Sequence, residues 1–133
     1  MQLNTYLFFN GDCETALKFY EQTLGANIES KRTHAGTPSE KDVPPEWRDK
    51  VLHARFTVGE TVVMASDAPP PHYQKPAGFS VSISLNDKEK AERMFNALAE
   101  GGTMIMPFQQ TFWASGFGMC IDRFSIPWMV NCE

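Results

Sequence analysis

Apolar positions along this chain follow two alternating periods, and the alternation runs twice in the same order. Residues 3–9 form a short apolar run, bounded by Asn10-Gly11, that reads as a strand. The spacing then changes. Ala16, Leu17, Tyr20 and Leu24 recur at helical intervals, with Asp12 as the expected N-cap and Gly25 as the stop. A strand over 27–34 follows, then a polar loop over 35–49 that holds three prolines and is expected to be mobile. Next, VLHARFTV and TVVMASD flank Gly59-Glu60, a two-residue connection with Gly first that suits a type II′ hairpin. That turn pairs Val58 with Thr61, and therefore Arg55 with Met64 and His53 with Ser66.

The segment APPPHYQKPAG (68–78) is rich in proline, lacks periodicity and reads as a linker. After it the opening pattern returns. FSVSISL (79–85) predicts a strand, Asp87 an N-cap, and KEKAERMFNALAE a helix stopped by Gly101-Gly102. A strand near 103–108 and a hairpin within TFWASGFGMCIDRFSIPWMV complete the chain, with the turn at Asp122-Arg123. On the first arm of that hairpin, Trp113, Phe117, Met119 and Ile121 fall on one side, opposite Ala114, Gly116, Gly118 and Cys120. Sliding the halves by 75 residues superposes Asp12 on Asp87, Ala16 on Ala91 and Tyr20 on Phe95. Each half therefore reads β-α-β-β-β. The expected fold class is α+β: one domain over 1–133, built from a module at 1–67 and a module at 79–133. Neither half could bury its sheet face alone, so the two are expected to pair.

The bulk properties narrow the function classes. A chain of 133 residues that is 42% hydrophobic and 21% charged has the make-up of one soluble globular domain. Sixteen acidic against 12 basic residues leave a net charge of −4 and no basic stripe to neutralise phosphates, so no nucleic-acid partner is expected. No segment is long and apolar enough to span a bilayer, which argues against a membrane partner. The start, MQLNTYLFF, shows neither a basic leader nor a cleavage site. Cys13, Cys120 and Cys132 are odd in number and lack CxxC spacing, which argues against a disulfide framework and a zinc knuckle. Free thiols and a cytoplasmic location are expected.

The stretches YLFFNGDCETALKFYEQTLGA, VVMASD and MPFQQTFWASGFGMCIDRFSIPWMVNCE carry a resemblance to a known group. Nearly the whole chain resembles the vicinal oxygen chelate superfamily, which includes glyoxalase I and bleomycin-resistance proteins. More narrowly it resembles the PhnB-like branch, often labelled 3-demethylubiquinone-9 3-methyltransferase. Two positions depart from that branch: Ser125 stands where it usually has Gly, and Ala114 where Gly usually follows Trp. The resemblance implies that each module curls its sheet into a half-barrel, with the helix outside and a cavity inside, and that chains pair as homodimers. It also implies where metal-dependent members carry four His or Glu ligands. Those positions here are Thr5, Met64, Ser80 and Met129, whose hydroxyls and thioethers suit no divalent metal. No metal and no cofactor are therefore expected.

By the same resemblance, alternate residues before the final turn face the cavity: Phe117, Met119 and Ile121. Their neighbours are expected to be Leu7, Phe9, Met64 and Met129, with Ser80, Ser82 and Ser84 on another wall, while Trp128 and Val130 face the helix. His53 and Arg55 share a side with Ser66 and Met64, so a guanidinium for an anionic group and an imidazole for acid or base work are candidates. A solvated strand face accounts for the same two residues. Asp67, beside a proline run, suits a turn or cap. Trp113 precedes the hairpin, where its indole either covers a ligand or anchors a loop. His34 and His72 are expected to be exposed, and Cys13 reads as an ordinary thiol. The methyltransferase label finds no support in a GxGxxG-type segment, since GFG at 116–118 falls inside a strand. Three functions remain: metal-free binding of a small, largely apolar molecule, a metal-independent enzyme using His53, Arg55 or Asp67, and a dimeric scaffold whose cavity its own side chains fill.

Overall fold

The repeated period is realised as two copies of one module. The computed structural model describes residues 1–133, which divide into two compact units, Met1–Gln74 and Lys75–Glu133, parting within the proline-rich linker. The first unit runs β1 (Thr5–Phe9), α1 (Cys13–Leu24), β2 (Asn27–Thr33), β3 (Val51–Val58) and β4 (Thr61–Asp67). The second runs β5 (Val81–Leu85), α2 (Lys88–Ala99), β6 (Thr103–Gln109), β7 (Gly116–Ile121) and β8 (Pro127–Cys132). Their sheets have the same strand order, β1-β4-β3-β2 and β5-β8-β7-β6. In each, the first and last strands pair in parallel and the other pairs are antiparallel. This is the α+β arrangement the pattern predicts. No helix is long and apolar enough to cross a membrane.

One sheet face in each unit is closed by the helix. In the first, Ala16 and Tyr20 of α1 are fully buried, and the Tyr20 ring lies 6.3 Å from Phe9 and 6.1 Å from Phe56. In the second, Ala91 and Phe95 occupy the equivalent positions, also fully buried. There a Cβ on Gly118 would come within 2.7 Å of the Phe95 ring, so only glycine lets helix and strand approach this closely.

The helix starts differ from each other. Asp87 caps α2 as expected, its extended backbone aiming Oδ1 at the Lys90 N–H, 3.1 Å away. Asp12 does not cap α1: its backbone (φ −119°, ψ 25°) turns the side chain away from the first turn. Asp67, at the end of β4, does so instead, with Oδ1 accepting from the Cys13 N–H and Oδ2 from the Val51 N–H, both at 2.9 Å. At the other end, Gly25 stops α1 in the left-handed conformation (φ 67°) that glycine adopts freely.

The loop between β2 and β3, expected to be mobile, holds two 3₁₀ turns, Pro38–Asp42 and Pro45–Trp47. Trp47 is buried, and its ring would lie 3.5 Å from a Cβ on Gly11. Lys50 adds a 2.7 Å bond from Nζ to the Gly11 carbonyl. His34, expected to be exposed, is 7% exposed, with Nδ1 2.9 Å from Ser39 Oγ. The sequence shows a polar loop and conceals the one indole that anchors it.

The β7–β8 turn bears on one of the two departures from the pattern that the resemblance implies. Ser125 has φ 73° and is the one non-glycine residue in this conformation. A Cβ there costs on the order of 1 kcal/mol, which glycine avoids. Ser125→Gly is expected to raise stability by about 1 kcal/mol in urea denaturation, and a loss of stability would contradict the strain. Ala114 keeps a negative φ and fits unstrained, exchanging bonds with Thr111.

Candidate functional site

The sheet faces away from the helices carry the candidate site, and strand register decides which residues reach them. In the first unit Tyr6 pairs with Met64, Phe8 with Ser66, and Arg55 with Met64, so these five share the helix-free face. His53 lies there too, its ring 5.9 Å from Tyr6. Thr5, Leu7 and Phe9 do not. They pair with Val63, Ala65 and Asp67 on the opposite face, where Phe9 meets Tyr20 of α1. The expectation that Leu7 and Phe9 line a cavity is therefore corrected by one residue of parity. Tyr6 and Phe8, not singled out from the sequence, occupy that face.

In the second unit, β6, β7, β8 and β5 place Met106, Met119, Met129 and Ser82 in one cross-strand row. Phe117 pairs with Asn131 and Ile121 with Pro127 on the same face. Trp128 and Val130 pair with Cys120 and Gly118 on the helix side. Ser84 is exposed on β5, and Ser80 precedes that strand. Trp113 sits in the loop before β7, not on the strand, and its indole meets Phe117 edge-on at 5.4 Å. Phe112, 97% exposed, meets Trp113 edge-on in turn at 4.8 Å.

The polar candidates are distributed, not assembled. Arg55 is held by Glu29, Nε to Oε1 at 2.7 Å. Asp67 is 6% exposed on the helix side and occupied by backbone N–H groups, so it cannot serve His53 across the sheet. Burial raises the Asp67 carboxyl above its ordinary value, opposed by the bonds from Val51 and Cys13. All three cysteines are buried. Burial, reinforced by Asp67 and Asp12, raises the Cys13 thiol far above its usual range. Burial and Asp122 push Cys120 up to about 11. These thiols are protonated at neutral pH and poor nucleophiles. A thiol reagent at pH 8 is expected to find none of the three until denaturant is added, and one fast equivalent in the native protein would contradict this.

A divalent metal centre does not fit these residues. Thr5 and Met64 lie on opposite sheet faces, so two of the four ligand positions that the resemblance implies cannot converge. The other two offer a hydroxyl and a thioether, both poor ligands for hard or borderline ions. Nor do three His, Cys, Asp or Glu side chains gather anywhere in the chain.

Known proteins share this architecture. The chain matches the family described as 3-demethylubiquinone-9 3-methyltransferase over residues 1–131. It is 34% identical over 139 residues to protein YjdN of Escherichia coli (strain K12), across 98% of this chain and 95% of that one. It is similar to the crystal structure of protein PA1353 from Pseudomonas aeruginosa, with a TM-score of 0.90 and 46% identity, covering 100% of this chain and 98% of that chain. A glyoxylase/bleomycin resistance protein/dioxygenase domain from Frankia sp. EAN1pec shares the fold, at a TM-score of 0.70 and 12% identity over 100% of this chain and 97% of the other. A duplicated β-α-β-β-β chain that matches from end to end in this way belongs to the 3-demethylubiquinone-9 3-methyltransferase family.

Proposed function

We propose that this protein binds a small, largely apolar molecule on the helix-free face of its half-barrels, without a divalent metal. The row Met106–Met119–Met129 carries the reading, because all three methionines are partly exposed side by side on one sheet face, and Met129 stands where the resemblance puts a metal ligand. Unbranched methionines adapt to irregular shapes, which favours a tolerant site over a selective one. Burying ~150 Å² of apolar ligand surface recovers roughly 4 kcal/mol before association costs, so this contribution alone supports binding no tighter than about millimolar, and tighter binding needs a larger apolar body or a polar contact. The enzyme alternative loses support because Asp67 and His53 lie on opposite faces.

The test is a titration with the neutral fluorophore N-phenyl-1-naphthylamine. Native protein is expected to bind it, and Met119→Gln with Met129→Gln to weaken it about tenfold, by removing apolar area and inserting amides. Unchanged binding in the double variant would sink the proposal. Elemental analysis showing near-stoichiometric zinc, nickel or manganese would overturn its metal-free part. We also infer a homodimer, since Phe79, Ile105 and Phe112 are each more than half exposed and apolar surface of this kind favours association. Sedimentation at micromolar concentration is expected to give twice the chain mass, and a monomer would refute it.

A further inference from the structure

Between β2 and β3, at the edge of the first sheet, lies an open groove of about 430 Å³, lined by Ser30, Lys31, Arg32, Leu52 and His53. A β-bulge shapes it. Arg32 pairs with His53 and Thr33 with Val51, which leaves Leu52 unpaired between them. Bulges bend a strand and re-aim neighbouring side chains, and they concentrate near binding sites. As direct cross-strand partners, Arg32 and His53 have Cβ atoms about 5 Å apart on one side of the sheet. The neighbouring cations are already compensated: Lys31 lies 2.8 Å from Glu14, and Arg55 2.7 Å from Glu29. Arg32 has no such carboxylate. Arg32 is thus a groove cation with no carboxylate partner, and an anion seated there gains a charge-assisted bond without breaking an ion pair. The groove also adjoins apolar ground, since His53 lies against Tyr6, and Tyr6 is 4.8 Å from Phe8.

We propose that Arg32, with His53 and the Ser30 hydroxyl beside it, forms an anion subsite. It takes the carboxylate, sulfonate or phosphate-type end of a small molecule whose apolar body lies over Tyr6, Phe8 and Met64. The subsite rests on extending the ligand-surface reading from the methionine row of the second unit to the helix-free face of the first, and it transfers the role of cationic anchor from Arg55, which Glu29 neutralises, to Arg32.

Two probes separate the claims. 8-Anilinonaphthalene-1-sulfonate and N-phenyl-1-naphthylamine share one aromatic body and differ by the sulfonate. Native protein is expected to bind the anionic probe about tenfold more tightly, the scale of one charge-assisted bond at a half-exposed site. Arg32→Gln is expected to abolish that preference and leave the neutral probe unchanged, and His53→Gln to reduce it about threefold. Arg48→Gln, a cation paired with Glu40 outside the groove, is expected to change neither. Circular dichroism confirms that these surface variants fold. If native protein binds both probes equally, or Arg32→Gln keeps the sulfonate preference, the anion subsite is wrong while the apolar reading stands. If the neutral probe fails to bind native protein but the sulfonate binds through Arg32, the apolar reading is wrong and the subsite stands.

Discussion

Replacing Asp122 by alanine is expected to lower unfolding free energy by about 4 kcal/mol, the cost of orphaning three buried donors. The residue is 3% exposed. Oδ1 accepts from the N–H groups of Phe124 (2.8 Å) and Ile126 (3.0 Å), and Oδ2 accepts from Trp128 Nε1 at 2.8 Å. Water cannot replace the carboxylate at a turn closed on itself by the Asp122–Ile126 and Ser125–Asp122 backbone bonds. The melting temperature is expected to fall by about 12 °C. Asp122→Asn keeps one acceptor oxygen and is expected to lose about half as much. A loss under about 1 kcal/mol in the alanine variant would show that the turn re-forms its bonds without the carboxylate. The turn also holds Met119 of β7 opposite Met129 of β8, so the thioether row and its affinity for an apolar probe should weaken together.

Asp67→Ala is the second large effect, about 3 kcal/mol. One carboxylate joins three elements: it ends β4, caps α1 through the Cys13 N–H and starts β3 through the Val51 N–H. Negative charge at a helix N-terminus adds to its value. Asp12→Ala makes the comparison sharp. That residue has the cap's position in the chain but no cap bond, and its Oδ1 is buried without a partner. Its loss is expected to cost less than about 0.5 kcal/mol. Equal losses in the two variants would return the cap to Asp12. Hydrogen exchange should show faster opening at Cys13 and Val51 in the Asp67 variant alone. The pH dependence has a definite sign. Burial raises the carboxyl pKa, so the folded chain holds this proton more tightly than the unfolded chain. Its contribution therefore falls as pH rises from about 4 through the raised value, a slope the alanine variant lacks.

Much of the candidate site was legible only as a pattern. The alternation in GFGMCI put Phe117, Met119 and Ile121 on one side, and the type II′ turn at Gly59-Glu60 put Arg55 opposite Met64, as found. The first strand was read one residue out of phase. All of residues 5–9 except Thr5 are large and apolar or aromatic, so period alone cannot say which set is core. The parallel pairing to β4 decides it, by placing Phe9 beside Asp67 and over Tyr20. Arg32 escaped notice for a related cause. Its partner depends on two register shifts in β2 and β3, and a bulge leaves no mark in the pattern of an exposed edge strand.

Local chemistry in the chain determined the module. Two helical periods, each after a strand and before three more, specify β-α-β-β-β twice, and glycines at 25, 59 and 101 sit where a positive φ is needed. These are short-range effects of propensity, capping and turn geometry, and they act through neighbours in sequence. The tertiary structure alone decided who satisfies whom across distance. Asp67 reaches Cys13 over 54 residues, and Lys50 reaches Gly11 over 39. Glu29 takes Arg55 out of the site and leaves Arg32 as the uncompensated cation. Such pairings depend on strand order and register, and a shift of one residue turns every side chain to the other face. The reading of function changed with them.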